Sequence, residues 1–209
     1  GTNVLRGKAG SDRVNGRAGN DIVNGALGDD RLLGAAGDDR LLAGRDADLL
    51  RGGGGNDLLR AGRGDDVLRG ETGDDRLQAQ IDSASSASSD GDVRIAESAL
   101  LDGGDGNDEL NATAFTFISQ GQTRVDLRGG AGNDTLSLFD FNAGNFGGPF
   151  YGIAQASLDG GDGDDILRAS GVLQRGLSGG AGADTFVITA QQWRLGQESA
   201  RQFDNVDGS

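Results

Sequence analysis

Apolar side chains recur along this chain with a period of nine, which matches neither the 3.6-residue repeat of a helix nor a sustained alternation of period two. Between Gly7 and Gln78 each nine-residue stretch has an aliphatic residue at its eighth position: Val14, Val23, Leu32, Leu41, Leu50, Leu59, Leu68 and Leu77. With a neighbour on either side, that residue forms a short extended segment whose middle side chain points to the opposite face from the other two. The remainder of each stretch is glycine-rich and polar and reads as a turn. The pattern predicts turn, short strand, turn, short strand, with two units closing one coil of 18 residues. Equivalent residues of successive coils would then stack at the strand spacing of about 4.8 Å.

The eight units follow one another without insertion, and their sixth position is always aspartate: Asp12, Asp21, Asp30, Asp39, Asp48, Asp57, Asp66 and Asp75. Gly1 to Arg6 reads as the tail of a ninth unit, with Asn3 in the aspartate place. Stacking at 18 residues gives one column of Asp12, Asp30, Asp48 and Asp66 and another of Asp21, Asp39, Asp57 and Asp75. Four further units open at Gly103, Gly129, Gly160 and Gly179 and carry Asp108, Asp134, Asp165 and Asp184. Their starts lie 26, 31 and 19 residues apart, so one side of this block keeps the glycine-aspartate turn while the other carries longer connections. Val125, Leu127, Leu158, Leu173 and Leu177 are its candidate inward positions. Departures from the pattern fall at Lys8, Arg17, Ala26, Ala35 and Glu71 in place of the second glycine, at Ala43 and Ala61 in place of the first, and at Asp46 in place of the fourth-position glycine.

Composition narrows the chemistry. The 209 residues include 40 glycines, one proline and no cysteine, methionine or histidine. Without histidine or cysteine there is no Ser-His-Asp or Cys-His nucleophile, no imidazole or thiolate zinc site, no disulfide and no iron-sulfur cluster. The 33 acidic against 19 basic side chains give a formal charge of −14. Carboxylates stacked about 4.8 Å apart repel by about 3 to 4 kcal/mol per pair at an effective dielectric of ~20. The columns therefore demand cations. Ligation by carboxylates and main-chain carbonyls alone suits Ca²⁺ better than the smaller, rigidly octahedral Mg²⁺, and gives soft metals nothing. One aliphatic side chain per nine ordered residues is also too little burial to offset the ordering of the backbone, so cation binding is expected to complete the folding energy.

The units GGDGNDELN, GGAGNDTLS, GGDGDDILR and GGAGADTFV are similar to the GGxGxDxUx nonapeptide of RTX (repeats-in-toxin) proteins, the hemolysin-type calcium-binding repeats. The resemblance implies an all-β, right-handed parallel β-roll or β-helix with calcium in its turns. It also implies a chain that stays unfolded at low cytosolic calcium, leaves through a type I exporter and folds outside, secreted or at the cell surface. The metal ligands are then expected from all twelve aspartates named above and from the glycines that open units, Gly7, Gly16, Gly25, Gly34, Gly52, Gly103, Gly129, Gly160 and Gly179. Three gaps on each side of the first block and three on one side of the second give about nine Ca²⁺ ions.

The chain divides on this reading into a two-sided roll at 1–78, a Ser-rich linker or loop at 79–100, a one-sided roll with insertions at 101–190, and a cap at 191–209, in which a short helix places Trp193 over the open end. The aromatic run from Phe139 to Tyr151 is expected as a flap or an adhesive patch. GLSGG at 176–180 matches a nucleophile elbow, but its last two glycines open a repeat and no histidine exists to serve it. No enzyme activity is expected. There is no run of 18 apolar residues, no Sec-type signal pattern, and no basic excess for nucleic acid, so neither membrane insertion nor nucleic-acid binding is expected. Residues 1–78 carry 12 basic and 14 acidic side chains, against 7 and 19 in 79–209. That asymmetry, with the outward Leu33, Leu42, Leu49, Leu58 and Val67 beside arginine columns, suggests self-association or contact with a cell-surface glycan. The functional expectation is a calcium-binding structural protein of a surface layer, sheath or filament. The alternatives are the carboxy-terminal module of a larger secreted enzyme or toxin, and a calcium-dependent adhesin.

Overall fold

The computed structural model describes residues 1–82, 98–115, 124–140, 155–170, 175–189 and 206–207. All of its regular structure is strand. One nine-stranded parallel sheet contains β1 (Val4–Arg6), β3 (Ile22–Leu27), β5 (Arg40–Arg45), β7 (Leu58–Arg63), β9 (Arg76–Asp82), β11 (Glu109–Phe115), β13 (Thr135–Asp140), β15 (Ile166–Ser170) and β17 (Thr185–Thr189). The other contains β2 (Arg13–Ala18), β4 (Arg31–Ala36), β6 (Leu49–Gly54), β8 (Asp66–Thr72), β10 (Ser98–Asp105), β12 (Arg124–Ala131), β14 (Gln155–Asp162), β16 (Arg175–Ala181) and β18 (Val206–Asp207). The chain alternates between the two sheets at every step, which is the parallel β-roll that the nine-residue period predicts.

Register follows the repeat. Val23 pairs with Leu41 and Leu41 with Leu59 in the first sheet, and Leu32 with Leu50 and Leu50 with Leu68 in the second. These side chains are between 0% and 2% exposed and meet between the sheets, because the eighth position of every unit points inward. Val125, Leu127, Leu158 and Leu177 are buried as expected, while Leu173 lies outside the described residues. Of the expected linker or loop at 79–100, residues 79–82 and 98–100 are strand and 83–97 lie outside the described residues, as do the aromatic run after Phe139 and the terminal helix with Trp193. Phe139 itself is 40% exposed, and Thr185–Thr189 is a strand.

Two kinds of edge join the sheets. The long edge links each strand of the second sheet to the next strand of the first, and carries eight glycine-aspartate turns from Asp21 to Asp184. The short edge carries four, from Asp12 to Asp66. Neither ladder stops after the fourth: β8 pairs with β10 and β9 with β11 in full register, across a 33-residue step in sequence. The Arg76 guanidinium meets the Glu109 carboxylate over this junction. Beyond it the strands of the second sheet lengthen, and both sheets carry a second apolar column. Ala99, Val125 and Ala156 line the second sheet, and Ala79, Ala112, Leu138 and Ala169 line the first.

The outward rows differ from the sequence expectation in one respect. Leu33, Leu42, Leu49, Leu58 and Val67 do face away from the core, but each is half-buried, and the register mixes them with arginines. Leu33 stacks on Arg51, Arg51 on Arg69, Arg40 on Leu58, and Leu42 on Arg60. The rows are amphipathic columns and not bare apolar stripes.

Each turn takes left-handed backbone at the second and fourth positions of the unit, except at Lys8 in the first. Five side chains occupy such positions: Arg17 (φ 78°), Ala26 (98°), Ala35 (91°), Asp46 (78°) and Glu71 (83°). A Cβ in this region strains against the following carbonyl. Ala26→Gly and Ala35→Gly are therefore expected to stabilise the calcium-loaded roll by roughly 0.5–1 kcal/mol each, the relief of strain exceeding the entropy that glycine adds to the unfolded chain. Urea midpoints measured in calcium check this; an unchanged or lower midpoint would contradict it.

Candidate metal centre

The sixth-position aspartates sit at the last bend of each turn, where the chain re-enters a strand. Their side chains point back into the turn, and ten of the twelve expected ligands, all but Asp12 and Asp184, are between 1% and 3% exposed. One carboxylate oxygen has a partner. The N–H of Asp21 donates to Asp39 Oδ1 (2.6 Å), Asp39 to Asp57 (2.7 Å), Asp57 to Asp75 (2.8 Å), Asp75 to Asp108 (2.7 Å), Asp108 to Asp134 (2.7 Å), Asp134 to Asp165 (2.7 Å) and Asp165 to Asp184 (3.0 Å). Asn3, in the aspartate place, begins this column with its N–H on Asp21 Oδ1 (2.6 Å). On the short edge Asp12 donates to Asp30 (2.8 Å), Asp30 to Asp48 (2.9 Å) and Asp48 to Asp66 (3.0 Å).

The other oxygen has none. Oδ2 of Asp21, Asp30, Asp39, Asp48, Asp57, Asp75, Asp108, Asp134, Asp165 and Asp184 is buried without a hydrogen-bond donor. Except at Asp48, whose unit opens with Ala43, it lies against the glycine that opens the same unit. A Cβ on Gly16 would come within 2.6 Å of Asp21 Oδ2 and 2.8 Å of the Gly34 carbonyl, and one on Gly7 within 2.6 Å of both Asp12 Oδ2 and the Gly25 carbonyl. Gly25, Gly34, Gly52, Gly103, Gly129, Gly160 and Gly179 hold the same place beside Asp30, Asp39, Asp57, Asp108, Asp134, Asp165 and Asp184. So does Gly70 beside Asp75, a position absent from the candidates drawn from sequence. The first glycine thus allows this close approach, and the left-handed conformation belongs to the second and fourth.

A buried carboxylate oxygen with no donor is expensive as an anion. Burial, reinforced by neighbouring carboxylates and opposed by the N–H each group accepts, pushes Asp48, Asp57, Asp75 and Asp134 up to about 7 and Asp108 up to about 6. Asp39 and Asp165 are raised for the same leading reason. Among the described residues three or more acidic side chains nowhere converge on one point. Each level offers one carboxylate per edge, so the rest of a coordination shell has to come from main-chain oxygens such as the glycine carbonyls beside it. That donor set is all oxygen and fits a hard divalent cation of the size of calcium.

A second set of side chains escaped the sequence analysis. The fifth position of the long-edge units is Asn20, Asp38, Asn56, Asp74, Asn107, Asn133 and Asp164, and each accepts the main-chain N–H of the equivalent residue in the next coil. The inner aspartate column donates the opposite way along the roll. The signal is visible in the sequence as Asn or Asp immediately before the repeat aspartate.

In the absence of metal Asp48, Asp57, Asp75, Asp108 and Asp134 keep a proton up to about pH 6 to 7 in the roll, against an ordinary value of 3.8 in the open chain. Their contribution to the stability of the metal-free roll is fully present below about pH 4 and is lost as pH rises through 6 to 7. In chelator, the far-UV circular dichroism of a β-roll is expected to be stronger at pH 5 than at pH 7.5; an equal or weaker signal at pH 5 would contradict the burial argument.

A family model for the RTX calcium-binding nonapeptide repeat, four copies long, matches residues 1–32, 24–59, 33–68, 51–80, 100–115, 126–138 and 157–171, together more than half of the chain. No curated protein and no solved structure matches it.

Proposed function

Because the chain belongs to the RTX calcium-binding nonapeptide repeat family, whose repeats are structural calcium-binding modules, we propose that it is an extracellular structural protein or segment whose β-roll folds on Ca²⁺ after secretion, as part of a cell-surface layer, sheath or filament. Type I export, which RTX repeats typically accompany, fits a chain that needs extracellular calcium to close. The observation that carries this reading is the row of buried Oδ2 atoms that lack any donor. A cation bound there would neutralise the columns and satisfy those oxygens in one step.

The ligands in this reading are the twelve repeat aspartates and the carbonyls around the first glycines. Eight aspartate turns on the long edge enclose seven spaces and four on the short edge enclose three, giving about ten ions in place of nine. The added space lies between Asp75 and Asp108, where β9 pairs with β11. About ten divalent ions would carry the formal charge of −14 to about +6. The arginine-leucine columns, together with Val4 (62% exposed), Leu27 (50%) and Val187 (42%), give such a particle surface for packing against a second copy or an anionic glycan. No step of this function calls for a catalytic group.

Sedimentation velocity tests the proposal. In chelator the protein is expected to sediment as an expanded monomer, and in millimolar calcium as a compact particle whose sedimentation coefficient climbs with protein concentration. A compact species that stays monomeric at high concentration would remove the layer or filament and leave an export and folding module. No compaction would remove calcium-driven folding itself.

A further inference from the structure

The two edges of the roll bear the same aspartate motif, yet they are built to different standards. On the long edge three sets of hydrogen bonds run through every level. The fourth-position N–H donates to the third-position carbonyl of the next coil at Gly19, Gly37, Gly55, Gly73, Gly106, Gly132 and Gly163 (2.7–2.9 Å). The aspartate column runs beside it, and the fifth-position ladder flanks that on the outside, with links at 2.8–3.1 Å over all seven spaces. Each candidate space there is bracketed in the folded roll by coil-to-coil hydrogen bonds on both sides.

The short edge lacks much of this. Its fifth positions are Ser11, Asp29, Ala47 and Asp65. Of its three spaces, one is bridged in this way, by the Ala47 N–H on Asp29 Oδ1 (3.0 Å). Ala47 has no side-chain oxygen with which to hold the Asp65 level. The Gly28 N–H turns to the Asp46 carboxylate (3.1 Å), which stands where the other turns have glycine. The first position is Ala43 in the Asp48 turn and Ala61 in the Asp66 turn, so a methyl group occupies the place where Oδ2 lies closest to the main chain elsewhere on the roll.

We infer that the fifth-position side chains Asn20, Asp38, Asn56, Asp74, Asn107, Asn133 and Asp164 are positioning residues for the calcium turns, and that their presence on one edge and near-absence on the other divides the calcium spaces into a tight class of seven and a weak class of three. The physical reason is a shared ordering cost: hydrogen bonds between coils offset part of the cost of fixing the turn, so less of the ion's binding energy goes into ordering it. Asn serves this role as well as Asp, since one accepting oxygen is all the ladder uses, and four of the seven are Asn, which limits the charge stacked outside the inner column. The roll would then fill its long edge first and set its short edge, confined to the first 78 residues, at higher calcium.

This inference rests on the calcium reading above, and the test separates the two. Equilibrium dialysis against graded calcium is expected to give two classes in the ratio seven to three, separated by roughly fivefold or more in calcium concentration, the effect of about one hydrogen bond. Asn56→Ala and Asn133→Ala should each weaken the tight class by roughly fivefold while leaving the weak class and the total unchanged, and Asn56→Asp should keep wild-type binding. Ala47→Asn, which supplies the missing acceptor, should draw the weak class toward the tight one. A single undivided class, or a folded Ala47→Asn variant whose weak class has not moved, would overturn the inference and leave calcium binding intact. No calcium uptake at all would overturn both.

Discussion

An aspartate oxygen sealed under main chain that offers it no donor is the constraint around which this roll is organised. The carboxylate has two oxygens with different fates: Oδ1 joins a ladder of N–H groups running coil to coil, while Oδ2 faces the glycine of its own turn with nothing to receive. The first is an ordinary hydrogen bond, and at the end of the column Asn3 donates both its main-chain N–H and its side-chain amide to Asp21 Oδ1. The second makes sense as a half-built cation site. Glycine at the first position, left-handed backbone at the second and fourth, and the absence of bulk at the bend all follow from the need to bring carbonyl oxygens near that atom.

The same constraint explains how the roll changes character along its length. In the first four coils both edges are glycine-aspartate turns, and the core between the sheets is little more than one aliphatic column per sheet. Past Asp66 the described residues of the short edge bear no further glycine-aspartate turn, the strands of the second sheet lengthen, and alanine, valine and leucine fill inward positions. Apolar burial takes over the task that electrostatic cross-linking performs elsewhere. The long edge keeps its aspartates throughout, so it is the continuous feature of the molecule and the short edge the variable one.

The sequence disclosed whatever repeats with a fixed period. The eighth-position aliphatics, the aspartate columns and the one-sidedness of the later units could all be read from spacing, because a stacked coil forces chemically equivalent residues into register. What lay hidden is what the period does not carry. The column passes directly from Asp75 to Asp108, but a 33-residue step in place of 18 conceals that the two are neighbours. The extra columns of Ala99, Val125 and Ala156 sit outside the nonapeptide and look like connection. The ladder of Asn20, Asp38, Asn56 and Asp74 was overlooked for a different reason: asparagine and aspartate alternate there, so a search for charge sees every other member, whereas the geometry asks each for one accepting oxygen.

The most direct test of the account is a calcium titration of the chelator-stripped chain at neutral pH, followed by far-UV circular dichroism. Buried, unpartnered carboxylates predict a chain without β-roll signal in chelator and a cooperative transition to one as calcium is added. A chain already rich in β-structure in chelator at pH 7.5, with no change on adding calcium, would show that the aspartate columns are satisfied without a cation, and the account would fail at its base.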